Sequence, residues 1–158
     1  MMDTVIAVAG TLAGAVVTGL LQHRATARTE RAARREREER EWLASVTELA
    51  RAVSAHRAAM WALRHAELTG ASAERVDVLR DASHTTRGAV TAPAVMLRLL
   101  TSSARLRAAA DEAVHATYGM RDAVSVADLD ARRQRALGAH DAFVDAAAVA
   151  ARPGGERR

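Results

Sequence analysis

The sequence predicts an all-α protein: an N-terminal transmembrane helix, a charged helical stalk and a cytoplasmic antiparallel helical bundle. Three observations carry that expectation. Residues 4–21 hold no charge, residues 24–41 interleave arginine with glutamate, and apolar residues from Trp42 onward recur at steps of three and four. No stretch shows the two-residue alternation of a half-buried strand. The 158 residues give room for one domain. The expected division is an anchor over 1–23, a stalk over 24–41, a bundle over 42–151 and a disordered tail over 152–158.

Composition narrows the function classes. All 23 basic residues are arginine and none is lysine, which reads as a GC-rich coding bias. The net charge is only +4, far from the dense basic face that binds nucleic acid. The absence of cysteine excludes disulfides, thiolate metal sites and cysteine nucleophiles. Trp42, Trp61, Tyr118 and Phe143 are the only aromatic residues, so anchors for stacking bases or sugars are few.

The run from Thr4 to Leu21 has 18 residues, about 27 Å as a helix, which is at the short end of what crosses a hydrocarbon core. A secretory signal would need a basic segment before the run, and only Asp3 is charged there. A buried globular helix would carry a polar stripe, yet Thr4, Thr11 and Thr18 are its only polar side chains. A membrane anchor fits best. Arg24, Arg28, Arg31, Arg34 and Arg35 follow the run, and the positive-inside rule holds that flank in the cytoplasm with the N-terminus outside. The expected location is the inner (cell) membrane. Gly10, Gly14 and Thr18 form a small-residue stripe at i, i+4 spacing that suits close helix packing in lipid.

The stalk, RATARTERAARREREERE, carries seven Arg and five Glu. Glu30–Arg34 and Glu36–Arg40 have the favourable i, i+4 order on a helix. The interleaved glutamates cancel most of its attraction for nucleic-acid phosphate, while its first arginines can meet anionic lipid headgroups.

Trp42, Val46, Leu49, Val53, His56, Met60 and Leu63 then recur at alternating steps of 4 and 3. That is a heptad interaction seam, facing either a second copy or a later helix of the same chain. The helix should end near Leu68, with Gly70 as its left-handed cap. Ser72 is placed to cap a shorter helix carrying Val76 and Leu79. The stretch HTTRGAVTAP, residues 84–93, reads as a connection, with Pro93 in the first turn of the next helix. From there Met96, Leu99, Ser103, Leu106, Ala110, Ala113, Thr117 and Met120 keep the 3, 4 spacing, with Ser102 and Ser103 a place to break. Ser125 and Asp128 form a capping box before the last helix, in which Val126, Leu129, Ala136, His140, Phe143 and Ala147 keep the same period. The expected bundle has three or four helices and a thin, alanine-rich core.

Signs of chemistry are sparse. His56 and His140 fall on seam positions and could meet, but no Asp or Glu shares a seam to complete a metal site; a hydrogen-bonded core histidine is the simpler reading. His65-Ala66-Glu67 matches the H-x-E of zinc deaminases, whose P-C-x-x-C half is impossible without cysteine. HExxH, GxSxG, P-loop and GxGxxG patterns are missing. Asp111–Glu112 and Asp128/Asp130 read as solvated carboxylates. No enzyme, cofactor or metal is expected.

The uncharged N-terminus, the stretch TERAARREREERE and the Trp-led helix that follows resemble small KilB-type or Spd-type membrane proteins from conjugative plasmids of high-GC Gram-positive bacteria. The resemblance covers roughly the first 70 residues and rests on architecture and composition. It implies a role at the membrane in plasmid transfer or spread, and it transfers no functional residue. The expectation is therefore a non-enzymatic single-span membrane protein whose cytoplasmic domain binds a second copy or another membrane protein. The alternative is a pore-forming or holin-like protein assembled through the Gly10, Gly14, Thr18 stripe.

Overall fold

The computed structural model describes the backbone of residues 2–152 and the side chains of residues 28–152. Four helices, α1 (Met2–Leu68), α2 (Ala73–Leu100), α3 (Ala104–Tyr118) and α4 (Val126–Ala150), are accompanied by one 3-10 turn, Gly119–Asp122. No strand occurs among the described residues. The chain divides into two compact units, Met1–Glu41 and Trp42–Arg158, so the division falls within α1.

In the first unit every described side chain from Arg28 to Glu41 is exposed. Arg40 pairs with Glu36 in the expected i, i+4 order, while Arg37 donates to the Ala33 carbonyl at 3.3 Å. No helix is long and apolar enough to cross a membrane among the described residues. The side chains of residues 1–23, with Gly10, Gly14 and Thr18, lie outside the described residues, as does the tail from 153 to 158.

The second unit is an up-down-up-down bundle. The pairs His56–Thr86 and Met60–Ser83 set α2 antiparallel to α1, and Ser54–His140 with Trp61–Asp130 do the same for α4. α3 packs along α4. α1 closes as expected: Ala71 N–H donates to the Ala66 carbonyl and Gly70 N–H to that of Glu67. This Schellman pattern places Gly70 at φ 71°, where a side chain is strained. Ser72, Ser103 and Ser125 each cap the next helix by accepting from the backbone N–H three residues on.

Two expectations fail in α2. Residues 84–93 are not a connection; they lie within one helix of 28 residues. Pro93 is therefore interior, and the Ala89 carbonyl loses the N–H that would otherwise meet it. Tertiary packing overrides local propensity here: Ser83, Val90 and Leu97 are buried at seven-residue intervals, and only an unbroken helix keeps all three against α1. The second failure follows from the first. Met96 and Leu99, expected on the buried face, are 50% and 76% exposed. The expected break at Ser102 and Ser103 is real, since α2 stops at Leu100 and α3 starts at Ala104. On α4 the register holds at Leu129, Ala136, Phe143 and Ala147, whereas Val126 at the first turn is 36% exposed.

The core consists of two apolar clusters. One joins Trp42, Val46, Leu49 and Val53 of α1 to Val90 and Leu97, to Leu106 and to Phe143. The other joins Met60 to Met120, Ala123, Leu129 and Ala136. Between them on α1 sits His56, 1% exposed. Alanines supply much of the wall, so helices can approach closely but each contact buries little area.

Candidate functional site: a cation-rimmed cavity beside His56

All seven seam residues are buried, from Trp42 through Leu63. The open question of what they face is settled inside the second unit: they meet α2, α3 and α4 of the same chain. Among the described residues His56 is held by a single hydrogen-bond partner, Thr86 Oγ1, at 3.0 Å from Nδ1. The Thr86 hydroxyl donates to the carbonyls of Ala82 and Ser83, so at His56 its oxygen accepts and Nδ1 carries the proton. Burial, with the nearby Arg87 charge adding to it, pushes the imidazole pKa down to about 4. His56 is neutral at pH 7 for that reason.

His56 and His140 do not form a pair. His140 Nε2 lies 3.3 Å from Ser54 Oγ and 3.2 Å from the Ala50 carbonyl, and its Nδ1 is 3.6 Å from Asp141. The sequence Ser–His–Asp is suggestive of a hydrolase triad, but the geometry opposes it. A carbonyl oxygen can only accept, so Nε2 carries the proton and has no lone pair with which to take one from Ser54. No group of three metal-ligating side chains occurs among the described residues. The H-x-E pair is likewise structural: His65 stacks on Trp61 at 4.8 Å, and Glu67 binds Arg64 at 2.8 Å. Asp111 pairs with Arg98, Asp128 with Arg132, and Asp130 accepts from the Trp61 indole.

Next to His56 is a cavity of about 200 Å³ between α1, α2 and the α3 terminus. Its floor is Met60 and Leu63, both under 10% exposed. His56 and Tyr118 form a wall, edge to face at 5.3 Å. Arg80, His84, Arg87 and Arg121 line its mouth, and they are all exposed. Ser83, buried, also lines it and donates to the Met60 sulfur at 3.0 Å. Two buttresses fix the α3–α4 corner that carries Tyr118 and Arg121. Arg64 donates twice to the Ala123 carbonyl, and Arg132 donates to that of Gly119. Sequence periodicity singled out His56, Met60 and Leu63 but missed the rim, because Arg80, His84 and Arg87 fall on a helix that was read in two parts.

A second feature lies on the opposite side of α2. Residues 88–97, GAVTAPAVML, contain no charge, and the face away from the core presents Ala92, Val95, Met96 and Leu99 to solvent. These four fall on one helical stripe.

Comparison with known proteins places the family signal in the bundle. The family model described as KilB plasmid transfer protein matches residues 43–151. A curated relative, Protein KilB of Streptomyces lividans, is 42% identical over 148 residues, covering 94% of this chain and 97% of the relative. No solved structure matches.

Proposed function

Because the chain belongs to the KilB plasmid transfer protein family, we propose that it is a non-enzymatic membrane-anchored component of plasmid transfer whose cytoplasmic bundle docks on a second copy of itself. The observation that carries the docking is the uncharged outer stripe of α2. Apolar residues grouped on one exposed face point to an interaction surface more than residues scattered singly do, and α2 has Val95, Met96 and Leu99 side by side, each at least half exposed. A stripe without charge has no electrostatic preference for a different partner. It is complementary to itself, as an isologous two-fold contact requires. The heptad seam is not available for this, being buried within the chain.

The anchor rests on the uncharged residues 4–21 and the arginines after them. Their asymmetry orients the bundle to the cytoplasm at the inner membrane. Carbonate extraction of cells expressing the full chain, or a version starting at Arg24, tests this part. The full chain is expected to stay with the membrane and the shortened one to be released; release of both removes the anchor. For the docking, Leu99→Asp in the full chain is expected to abolish plasmid transfer while leaving helix content and membrane retention unchanged. Normal transfer by that variant sinks the α2 contact.

A further inference from the structure

The cavity beside His56 has a chemistry that docking through α2 does not use. Its interior is mostly apolar, with Met60, Leu63 and the half-buried Tyr118 ring beside the buried His56 and Ser83, while its mouth is lined by arginines and carries no acidic side chain among the described residues. Two of the three rim arginines are already compensated. Arg80 lies 2.6 Å from Asp77 and 3.6 Å from Glu67, and Arg121 lies 3.3 Å from Asp122. Arg87 is different: it forms no ion pair among the described residues, and its guanidinium carbon sits 5.0 Å above the centre of the Tyr118 ring. That contact holds the guanidinium plane against an aromatic face. Its donors remain available for a ligand.

We propose that this cavity binds a small monoanion with an apolar body, an aryl or short alkyl carboxylate, whose carboxylate pairs with Arg87 while its body lies on Met60 and Leu63. One uncompensated cation matches one negative charge. A planar guanidinium fork matches a carboxylate in two parallel hydrogen bonds. The volume, about 200 Å³, is below the roughly 300–1,000 Å³ of pockets for drug-sized ligands, which limits the body to about one ring. A bare hydrated anion gains nothing from the apolar floor, and a neutral ring gains nothing from Arg87.

Four probes separate these contributions: benzoate, its neutral isostere benzamide, acetate and inorganic phosphate. The full chain is held in a zwitterionic detergent with its methionine methyls labelled, and the Met60 resonance, assigned by Met60→Leu, is followed by NMR. Benzoate is expected to shift Met60 and the Tyr118 ring saturably, and benzamide, acetate and phosphate to bind at least about tenfold more weakly. Arg87→Gln is expected to weaken benzoate by a similar factor, with Arg107→Gln, an exposed change elsewhere on the bundle, leaving it as it was. Equal binding of benzoate and benzamide reduces the site to an apolar hollow and overturns the proposal. So does phosphate matching benzoate, or the absence of any saturable shift. The comparison of benzoate with benzamide decides without a variant, so a poorly folded Arg87→Gln does not leave the matter open.

Discussion

His56 shows how one buried polar residue constrains the whole bundle. Its ring interrupts the apolar succession from Val53 to Met60 on α1, and only Thr86 satisfies its Nδ1–H. Thr86→Val keeps the shape and removes the acceptor, leaving a buried donor unpaired; a loss of about 1–3 kcal/mol is expected in urea melts at pH 7. The pH dependence follows from the imidazole pKa, lowered from 6.5 to about 4 by burial and by Arg87. Below pH 6.5 the unfolded chain takes up a proton that the folded chain refuses until about pH 4. Stability is therefore complete above pH 6.5 and falls as the pH drops through this window, by up to about 3 kcal/mol. Arg87 from α2 opposes a second positive charge at the ring, and the other charged residues lining the same cavity, Arg80 and Arg121, bring no carboxylate to assist one. Melts between pH 7 and 4 should show the slope in the parent and a shallower one in His56→Leu. Equal slopes would assign the window to other groups. Below it, Asp128 adds its own acid sensitivity, since the Val124 N–H and Arg132 hold its carboxyl below the usual range. The sequence exposes His56 as a core histidine through its place in the seam. It hides the partner, because Thr86 lies in a segment that looks like a loop.

At the scale of elements, α2 separates what local sequence can and cannot say. Helix ends were legible because each has a chemical marker: Gly70 closes α1, and Ser72, Ser103 and Ser125 open the helices that follow. The middle of α2 was not, because Gly88, three threonines and Pro93 all lower intrinsic helicity. What holds it is non-local, the packing of Val90 and Leu97 against the α1 seam. Such a helix carries correctable local penalties. Pro93→Ala restores a donor for the Ala89 carbonyl and removes the ring, and is expected to stabilise the bundle by about 1–3 kcal/mol. Gly88→Ala should add about 0.5–1 kcal/mol, since a methyl there meets nothing within 4 Å. Gly70→Ala has equal space but φ 71°, and should cost about 1–2 kcal/mol. Thermal melts of the three variants check the set. Were Gly70→Ala neutral and Pro93→Ala destabilising, the assigned end of α1 and middle of α2 would both be wrong.

For the whole molecule, the 3, 4 recurrence finds apolar stripes but not what covers them. The α1 stripe is covered by its own chain. The stripe on α2 was obscured because residues 88–97 are uncharged on every side, so no polar face marks which side turns inward. The structure makes the distinction: Val90 and Leu97 turn in, and Val95, Met96 and Leu99 turn out. A thin alanine core gives such a bundle reason to bury a further face, because small domains already leave much of their surface in water. The absence of cysteine allows a direct test in membranes from expressing cells. Met96→Cys sits at the middle of the outer stripe, and Val144→Cys on α4 is similarly exposed. A disulfide forms only when two Cα atoms come within about 7 Å, so a specific contact links the first variant and spares the second. The expected outcome under mild oxidation is a covalent dimer of Met96→Cys that Leu99→Asp in the same chain prevents, with Val144→Cys monomeric throughout. Equal linkage at both sites would mean random collision in the membrane. Linkage at neither would mean that Met96 does not meet its own copy, and would count against the self-complementary reading of the uncharged face.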